Sequence, residues 1–376
     1  MKKKKVLQVF SATHRGGAET MVMNILRDTD QNVYTYDFIS HVKEKSDYDN
    51  EITSYGGNVI HTPSLGKVGY IKYVNNLREI IRTYGPYDAV HCHTNLQAAA
   101  VLMAAFLEKV PKRLAHSHNT VWFAKKNIKN TIWSKFSKVI IKKVATNYVA
   151  CSKEAGIAMF GNKLVRKNKV KVINNGIEVK KFIDANNINV KIEKRKELGI
   201  DNNQFVIGHI GRYHHQKNHE FILNLAEILK QENIDVKFLL IGDGEKKAEV
   251  EKEIDDSGLS EYIIPLGVRS DIESLFSAFD LFVLPSHYEG LPLVLVEAQA
   301  SGTISIVSNL VTKDIDLKLN LIKFKSINNV DIWKKEIVEI MKGKIDFIDK
   351  NHIFNSITEQ GYNSMVNSKK FNEMYG

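Results

Sequence analysis

The chain has 376 residues, more than a single hydrophobic core usually organises, so two domains are expected. Hydrophobic residues at 43% and charged residues at 26% exclude wholesale disorder, and only two cysteines, Cys92 and Cys151, exclude a disulfide framework and fit a reducing compartment. The net charge of +10 is concentrated before residue 183 and the remainder is mildly acidic, so the first half is expected to face an anionic partner: a membrane surface, a nucleic acid or a phosphorylated substrate. The longest apolar run, 98–107, is about half of what a spanning helix needs. The basic, then apolar start reads as a first strand rather than a signal peptide, and a cytoplasmic chain is expected.

Strand-like and helix-like segments alternate along the chain. Residues 6–10 form an apolar run that leads to Gly16-Gly17, and helical spacing follows over 18–26. Strands are expected at 33–39, 58–61, 89–91, 113–116 and 146–150, with helices at 69–84 and 97–107. Residues 170–177 close this unit on the turn Asn174-Asn175-Gly176, and a linker is placed near 175–190. A second series has strands at 205–210, 236–241, 263–266, 281–284 and 304–307, separated by helices at 219–230, 246–257, 272–279 and 292–300. Such alternation predicts α/β, doubly wound parallel sheets covered on both faces. Residues 310–330 fit no regular pattern.

The most informative stretch is Ser286-His-Tyr-Glu289-Gly290-Leu291-Pro292-Leu-Val-Leu-Val-Glu297-Ala-Gln-Ala-Ser-Gly302. Pro292 suits a first helical turn, where its missing N–H would be unpaired anyway. Glu289 then lies in the loop before the helix and Glu297 on the helix, roughly 8–12 Å apart along the axis. That is the reach from a donor sugar, past a pyrophosphate, to a ribose. The free N–H groups of Gly290, Leu291 and the following turn can hold a phosphate. A second motif, Gly208-His-Ile-Gly211-Arg212-Tyr-His-His-Gln-Lys217-Asn218, follows a strand and precedes a helix. Gly211 lets the backbone approach a ligand. Arg212 and Lys217 place two cations at a strand end, where open α/β sheets bind ligands. Gly242-Asp243-Gly244 reads first as a turn that shapes the same crevice. Two glutamates at this spacing also occur on solvated helices, and two cations also fit a solvated turn; their combination points to a site.

Gly-Arg with Lys-Asn five residues on, then Gly-Asp-Gly, then Glu-x₇-Glu opening on Glu-Gly-Leu-Pro, resembles glycosyltransferase family 4 over essentially the whole chain. The resemblance implies the GT-B fold, two Rossmann-like domains facing a cleft. It implies a retaining transferase that uses a nucleotide sugar, here UDP-linked, with no cofactor and no essential metal. Arg212 and Lys217 would bind the donor diphosphate, Glu289 the sugar near the reaction centre, and Glu297 the ribose. Val268, in Leu266-Gly267-Val268-Arg269, would contact the base. Gly16 and Gly17 would lie near donor phosphate and acceptor, although an ordinary strand–helix turn uses the same residues. Two histidine pairs end strands, His91-Cys-His93 and His116-Ser-His118; the family's near-catalytic histidine maps to His118, with His93 second. Lacking a carboxylate or cysteine set, they are not read as a metal site. Residues 1–180 would bind acceptor and 181–354 donor, with a terminal helix from about 355 to 376 packing back on the first domain. The sequence departs from the family after Gly302, where Thr303-Ile304 stands and a proline two residues on is usual.

Residues 119–148 carry seven lysines and no acid. On a helix, Trp133, Phe136, Ile140 and Val144 share one face, expected in the core, and Lys135, Lys138 and Lys142 share the opposite one. With Trp122-Phe123 the stretch also fits reversible contact with an anionic membrane surface, which would make the protein peripheral on the inner face of the plasma membrane. The acceptor implied by the family is a glycan or lipid-linked glycan of bacterial capsule or exopolysaccharide synthesis. No nucleic-acid module is recognised. Two rival readings remain: a nucleotide-sugar epimerase of the same fold, and a non-catalytic nucleotide-sugar-binding partner in a glycan assembly complex.

Overall fold

The computed structural model describes residues 3–120, 127–343 and 348–376. The chain forms two compact units, Met1–Gly176 with Asn363–Gly376, and Ile177–Tyr362.

In the first unit, seven strands pair in parallel: β1 (Lys4–Val9), β2 (Tyr34–Ser40), β3 (Val59–His61), β4 (Ala89–Cys92), β5 (Lys112–Ser117), β6 (Asn147–Ala150) and β7 (Val170–Val172). Their order is β3-β2-β1-β4-β5-β6-β7, so the winding reverses between β1 and β4. Alternation along β1 sends Leu7 and Val9 into one core and Val6 into another. The first core is covered by the helices Tyr70–Tyr84 and Ala98–Leu107; the latter is apolar all round because helices flank it on both sides. The opposite core takes the helix Gly17–Asp28 and the terminal helix Ser364–Tyr375, which buries Phe371, Met374 and Tyr375. Gly176 lies where the chain leaves this unit, and a Cβ there would stand 2.8 Å from the Ser364 nitrogen on the returning strand of chain.

The second unit is a six-stranded parallel sheet in the order β10-β9-β8-β11-β12-β13. Its strands are β8 (Phe205–Ile210), β9 (Val236–Ile241), β10 (Ile263–Gly267), β11 (Leu281–Leu284), β12 (Ser305–Ser308) and β13 (Ile322–Lys325). The switch point lies between β8 and β11. β13 comes from the stretch that fitted no pattern; it is a half-buried edge strand whose Lys323 and Lys325 both reach Glu336, at 2.8 and 2.5 Å.

Three expectations need correction. The segment placed as linker is helical, Val179–Ala185 and Ile188–Glu197, because Val179, Phe182 and Ile183 form an apolar stripe buried in the second core. The return to the first unit begins at Asn363 rather than about 355, because Ile353 and Ile357 of the helix Lys350–Glu359 are buried in the second unit. The turn after Gly302 forms without proline: Gly302 takes φ 67°, and Thr303 N–H donates to the Ala298 carbonyl at 2.9 Å.

Candidate active site

In the second unit the loops that follow β8, β9, β10 and β11 are tied to one another at the C-terminal edge of the sheet. Gly211 N–H donates to Ile241 O at 2.9 Å, Tyr213 N–H to Asp243 O at 3.0 Å, and Gly242 N–H to Gly267 O at 2.8 Å. On the other side of the switch point, His287 N–H donates to Gln216 O at 2.9 Å and Asn218 Nδ2 to Pro285 O at 3.1 Å. Gly242 is required here: its φ is 145°, and a Cβ would stand 2.1 Å from the Gly211 carbonyl oxygen. The Gly-Asp-Gly turn therefore shapes the site.

This weave brings Glu289 against Lys217, with Oε1 and Nζ 2.6 Å apart. Ser286 Oγ donates to the same carboxylate oxygen at 2.8 Å, and Gln216 Nε2 to the other at 3.2 Å. Lys217, expected on the diphosphate, is thus paired with Glu289 in the unliganded protein. Its stem covers Gly211, within 3.0 Å of where a Cβ would be. Arg212 is exposed and makes no hydrogen bond or ion pair with another described residue. Val268, just past β10, is also exposed, while its neighbour Arg269 is held by Asp271 and Glu197.

Gly290 and Leu291 precede the helix Leu293–Ala300. Pro292 is its N-cap, one position earlier than expected, with an extended ψ of 106°. Glu297 is half-buried on this helix, and its pKa is pushed up to about 7, first by burial and then by Glu273. Lys181, which opposes the shift, is itself engaged by Glu273 at 3.2 Å.

In the first unit a cavity of about 680 Å³ is lined by Gly17, Glu19, His93, Asn95, His118 and Asn175, among others. Gly16 does not line it; it caps the helix Gly17–Asp28 against the Glu19 carboxyl. The four histidines belong to a buried hydrogen-bonded row. His93 Nδ1 and His118 Nε2 are 2.9 Å apart, His93 Nε2 and Gln8 Oε1 2.8 Å, His91 Nδ1 and the Tyr375 hydroxyl 2.8 Å, and His91 Nε2 and His116 Nδ1 3.1 Å. Burial lowers the pKa of all four, that of His118 to about 3, so the row is neutral. His91, His93 and His116 also bring ring nitrogens within 4.8 Å of one another, a group that could hold a metal ion. Five of their six ring nitrogens lie at hydrogen-bond distance from one another, His118, Gln8 or Tyr375, and His116 Nε2 has no partner among the described residues.

The helix Ile128–Val144 buries part of the face expected in the core: Val144 is buried, Trp133 and Ile140 are half-buried, and Phe136 is exposed. Ser137, Ile141 and Val144 are buried, whereas Ile128, Ile132, Phe136 and Val139 are 79%, 63%, 47% and 53% exposed. Lys129, Lys135, Lys142 and Lys143 are exposed beside them. Trp122 and Phe123 lie outside the described residues.

Sequence reasoning missed Gln8, Tyr375, Ser286 and Gln216. A glutamine inside the apolar strand Val6-Leu7-Gln8-Val9 was the available signal for the first.

Two Rossmann-ordered parallel sheets in one chain, with a lysine–carboxylate pair at the second switch point, define a GT-B glycosyltransferase. The family described as Glycosyltransferase Family 4 matches residues 15–181, and Glycosyl transferases group 1 matches residues 190–313. The chain is 37% identical over 97% of its length to EpsF of Bacillus subtilis (strain 168), named as a glycosyltransferase, and covers 94% of it. It is 28% identical over 81% of its length, and 80% of the relative, to UDP-Gal:alpha-D-GlcNAc-diphosphoundecaprenol alpha-1,3-galactosyltransferase of Escherichia coli. The crystal structure of Anabaena Alr3699/HepE in complex with UDP and glucose shares the fold, with TM-score 0.72 at 19% identity over 98% of both chains. The chain belongs to glycosyltransferase family 4. No helix among the described residues is long and apolar enough to cross a membrane.

Proposed function

We propose that this glycosyltransferase moves a sugar, with retention, from a UDP-sugar to a glycan or lipid-linked glycan acceptor in bacterial surface polysaccharide synthesis. The observation that carries the reading is the convergence of Glu289 and Lys217 at the switch point of the second sheet, on a turn that leaves Arg212 uncommitted. The name of the Escherichia coli relative, a UDP-Gal-dependent transferase to a diphosphoundecaprenol-linked sugar, supports this choice of donor and acceptor.

In this reading the second unit holds the donor. Arg212, Lys217 and the amides at the start of the helix Leu293–Ala300 stabilise charge on the departing diphosphate, the largest catalytic term. These cations belong to the chain, so no metal or cofactor is required. Glu289 meets the sugar, Glu297 accepts hydrogen bonds from the ribose, and Val268 borders the base. Retention follows from attack on the face the diphosphate leaves, with the leaving phosphate taking the acceptor's proton. Gly17, His93 and His118 form the acceptor-side cavity of the first unit, and the basic helix Ile128–Val144 gives reversible contact with the inner face of an anionic membrane.

The test is a nucleotide-sugar panel with membrane-extracted acceptor lipid, alongside calorimetry with UDP. Transfer is expected with a UDP-sugar, and Arg212→Ala should cut turnover at least tenfold, about 1.4 kcal/mol. Sugar conversion without any acceptor would instead indicate an epimerase. UDP binding with no transfer would indicate a non-catalytic partner.

A further inference from the structure

We propose that Gln216 and Ser286 are positioning residues for Glu289: each holds one oxygen of its carboxylate, so that the carboxylate keeps its place when Lys217 leaves it for the donor diphosphate. The proposal rests on the reading of Glu289 and Lys217 as donor-site residues.

Gln216 and Lys217 lie on one short turn, His215–Lys217, and a His214 ring nitrogen caps it by accepting from Gln216 N–H at 3.2 Å. The two side chains meet the Glu289 carboxylate on different oxygens. Lys217 Nζ donates to Oε1 at 2.6 Å, where Ser286 Oγ also donates at 2.8 Å, and Gln216 Nε2 donates to Oε2 at 3.2 Å. The amide has a single orientation here. Gln216 Nε2 also lies 2.9 Å from the Tyr288 carbonyl oxygen, which can only accept, so the nitrogen and not the oxygen of the amide faces Glu289. Ser286 is buried just past β11 and is held with the end of that strand.

Of these three donors, Lys217 is the one whose departure leaves the rest intact. Its ammonium ends a flexible aliphatic stem. The turn that carries it is fastened to the Glu289 loop by contacts that do not involve that ammonium: His287 N–H to Gln216 O at 2.9 Å, Asn218 Nδ2 to Pro285 O at 3.1 Å, and the stacked rings of His215 and His287, with centroids 4.6 Å apart. A diphosphate can therefore draw the ammonium away without loosening the turn. Ser286 then still holds Oε1 and Gln216 still holds Oε2, which fixes the plane of the carboxylate. A carboxylate has about four lone-pair sites over its two oxygens, so each oxygen keeps one for a sugar hydroxyl. With either donor removed, the carboxylate can turn about its last bond, a soft torsion. Gln216 and Ser286 thus act on the sugar only through Glu289.

The test is a double-mutant cycle in the full chain. With UDP-glucose and UDP-galactose as donors and membrane-extracted lipid as acceptor, Gln216→Met should lower kcat about tenfold and leave donor KM within about twofold. The same change made in Glu289→Ala should cost less than about twofold, because its effect passes through the carboxylate. Ser286→Ala should behave in the same way, and Ser286→Thr, which keeps the hydroxyl, should recover most of the loss. UDP affinity, read by calorimetry, should stay within about twofold in Gln216→Met and Ser286→Ala. Unchanged kcat in either variant overturns the proposal, as does an undiminished loss in the Glu289→Ala background. A fall in UDP affinity of about tenfold or more would show that the turn itself had moved, and overturns it too. If Gln216→Met does not fold, Ser286→Ala and Ser286→Thr carry the cycle. Full transfer by Glu289→Ala, or a wild type that transfers from no UDP-sugar, would instead overturn the reading of the donor site, whatever the cycle shows.

Discussion

Glu297 is held in a setting that disfavours its own charge. Burial raises its pKa to about 7, Glu273 adds to the shift, and the offsetting Lys181 is drawn to Glu273. A carboxyl whose folded pKa lies above its ordinary 4.5 binds more protons in the native state between those two values. The chain therefore loses stability as pH rises from about 4.5 to 7 and carries the full penalty above that window. Glu297→Gln removes the ionisation, so it should raise Tm relative to wild type at about pH 8 and do so much less at about pH 5. If ribose binding needs the carboxylate, donor KM of the wild type should rise as pH falls below about 7, and the variant should show a high, pH-independent KM. A wild-type KM that is flat across that range would remove Glu297 from donor binding. A destabilising carboxyl at this position is what a binding role, rather than a packing role, would retain.

At the scale of elements, the proposed donor site is a set of loops held by backbone hydrogen bonds, and Gly242 sits where two of them touch. Any side chain there meets the Gly211 carbonyl and a φ that only glycine tolerates well. Gly242→Ala should cost about 1–3 kcal/mol of stability and displace the turn that carries Arg212, so UDP affinity should fall at least about tenfold, read by calorimetry. Retained affinity would show that the turn does not set the position of the cations. The same scale explains what the sequence made visible. β8, β9 and β11 were placed with their observed limits, because strands of a parallel sheet covered on both faces read as continuous apolar runs. β13 was invisible because an edge strand alternates with lysines, and the helices Val179–Ala185 and Ile188–Glu197 passed for a linker because the second is nearly all polar. Glu289 and Lys217 were legible because each sits in a short motif beside a strand. The row from His118 to His116 was not, because it joins residues of β1, β4, β5 and the terminal helix that only the fold brings together.

Across the whole molecule, charge is divided as the sequence is: the first half is strongly basic and the second mildly acidic. The basic half also holds a stripe of four exposed apolar side chains at helical spacing beside lysines: Ile128, Ile132, Phe136 and Val139 with Lys129, Lys135, Lys142 and Lys143. The buried positions of this helix are 137, 141 and 144, and of the stripe only the Phe136 ring has ring contacts, with Tyr70 and Trp133. Its composition, apolar residues flanked by cations without acids, matches an anionic lipid surface. At about 1 kcal/mol per lysine near such a surface, the four together supply about 4 kcal/mol, a factor of roughly a thousand in partitioning. Co-sedimentation with phosphatidylglycerol vesicles should therefore exceed that with phosphatidylcholine, and should weaken as salt shortens the Debye length. Replacing the four lysines by glutamate should abolish binding to phosphatidylglycerol, and Phe136→Ser should weaken it while leaving the salt dependence intact, because it removes the inserted ring and none of the charge. Equal binding to both lipids, or binding indifferent to the lysines, would show that the basic half serves a soluble anionic partner instead.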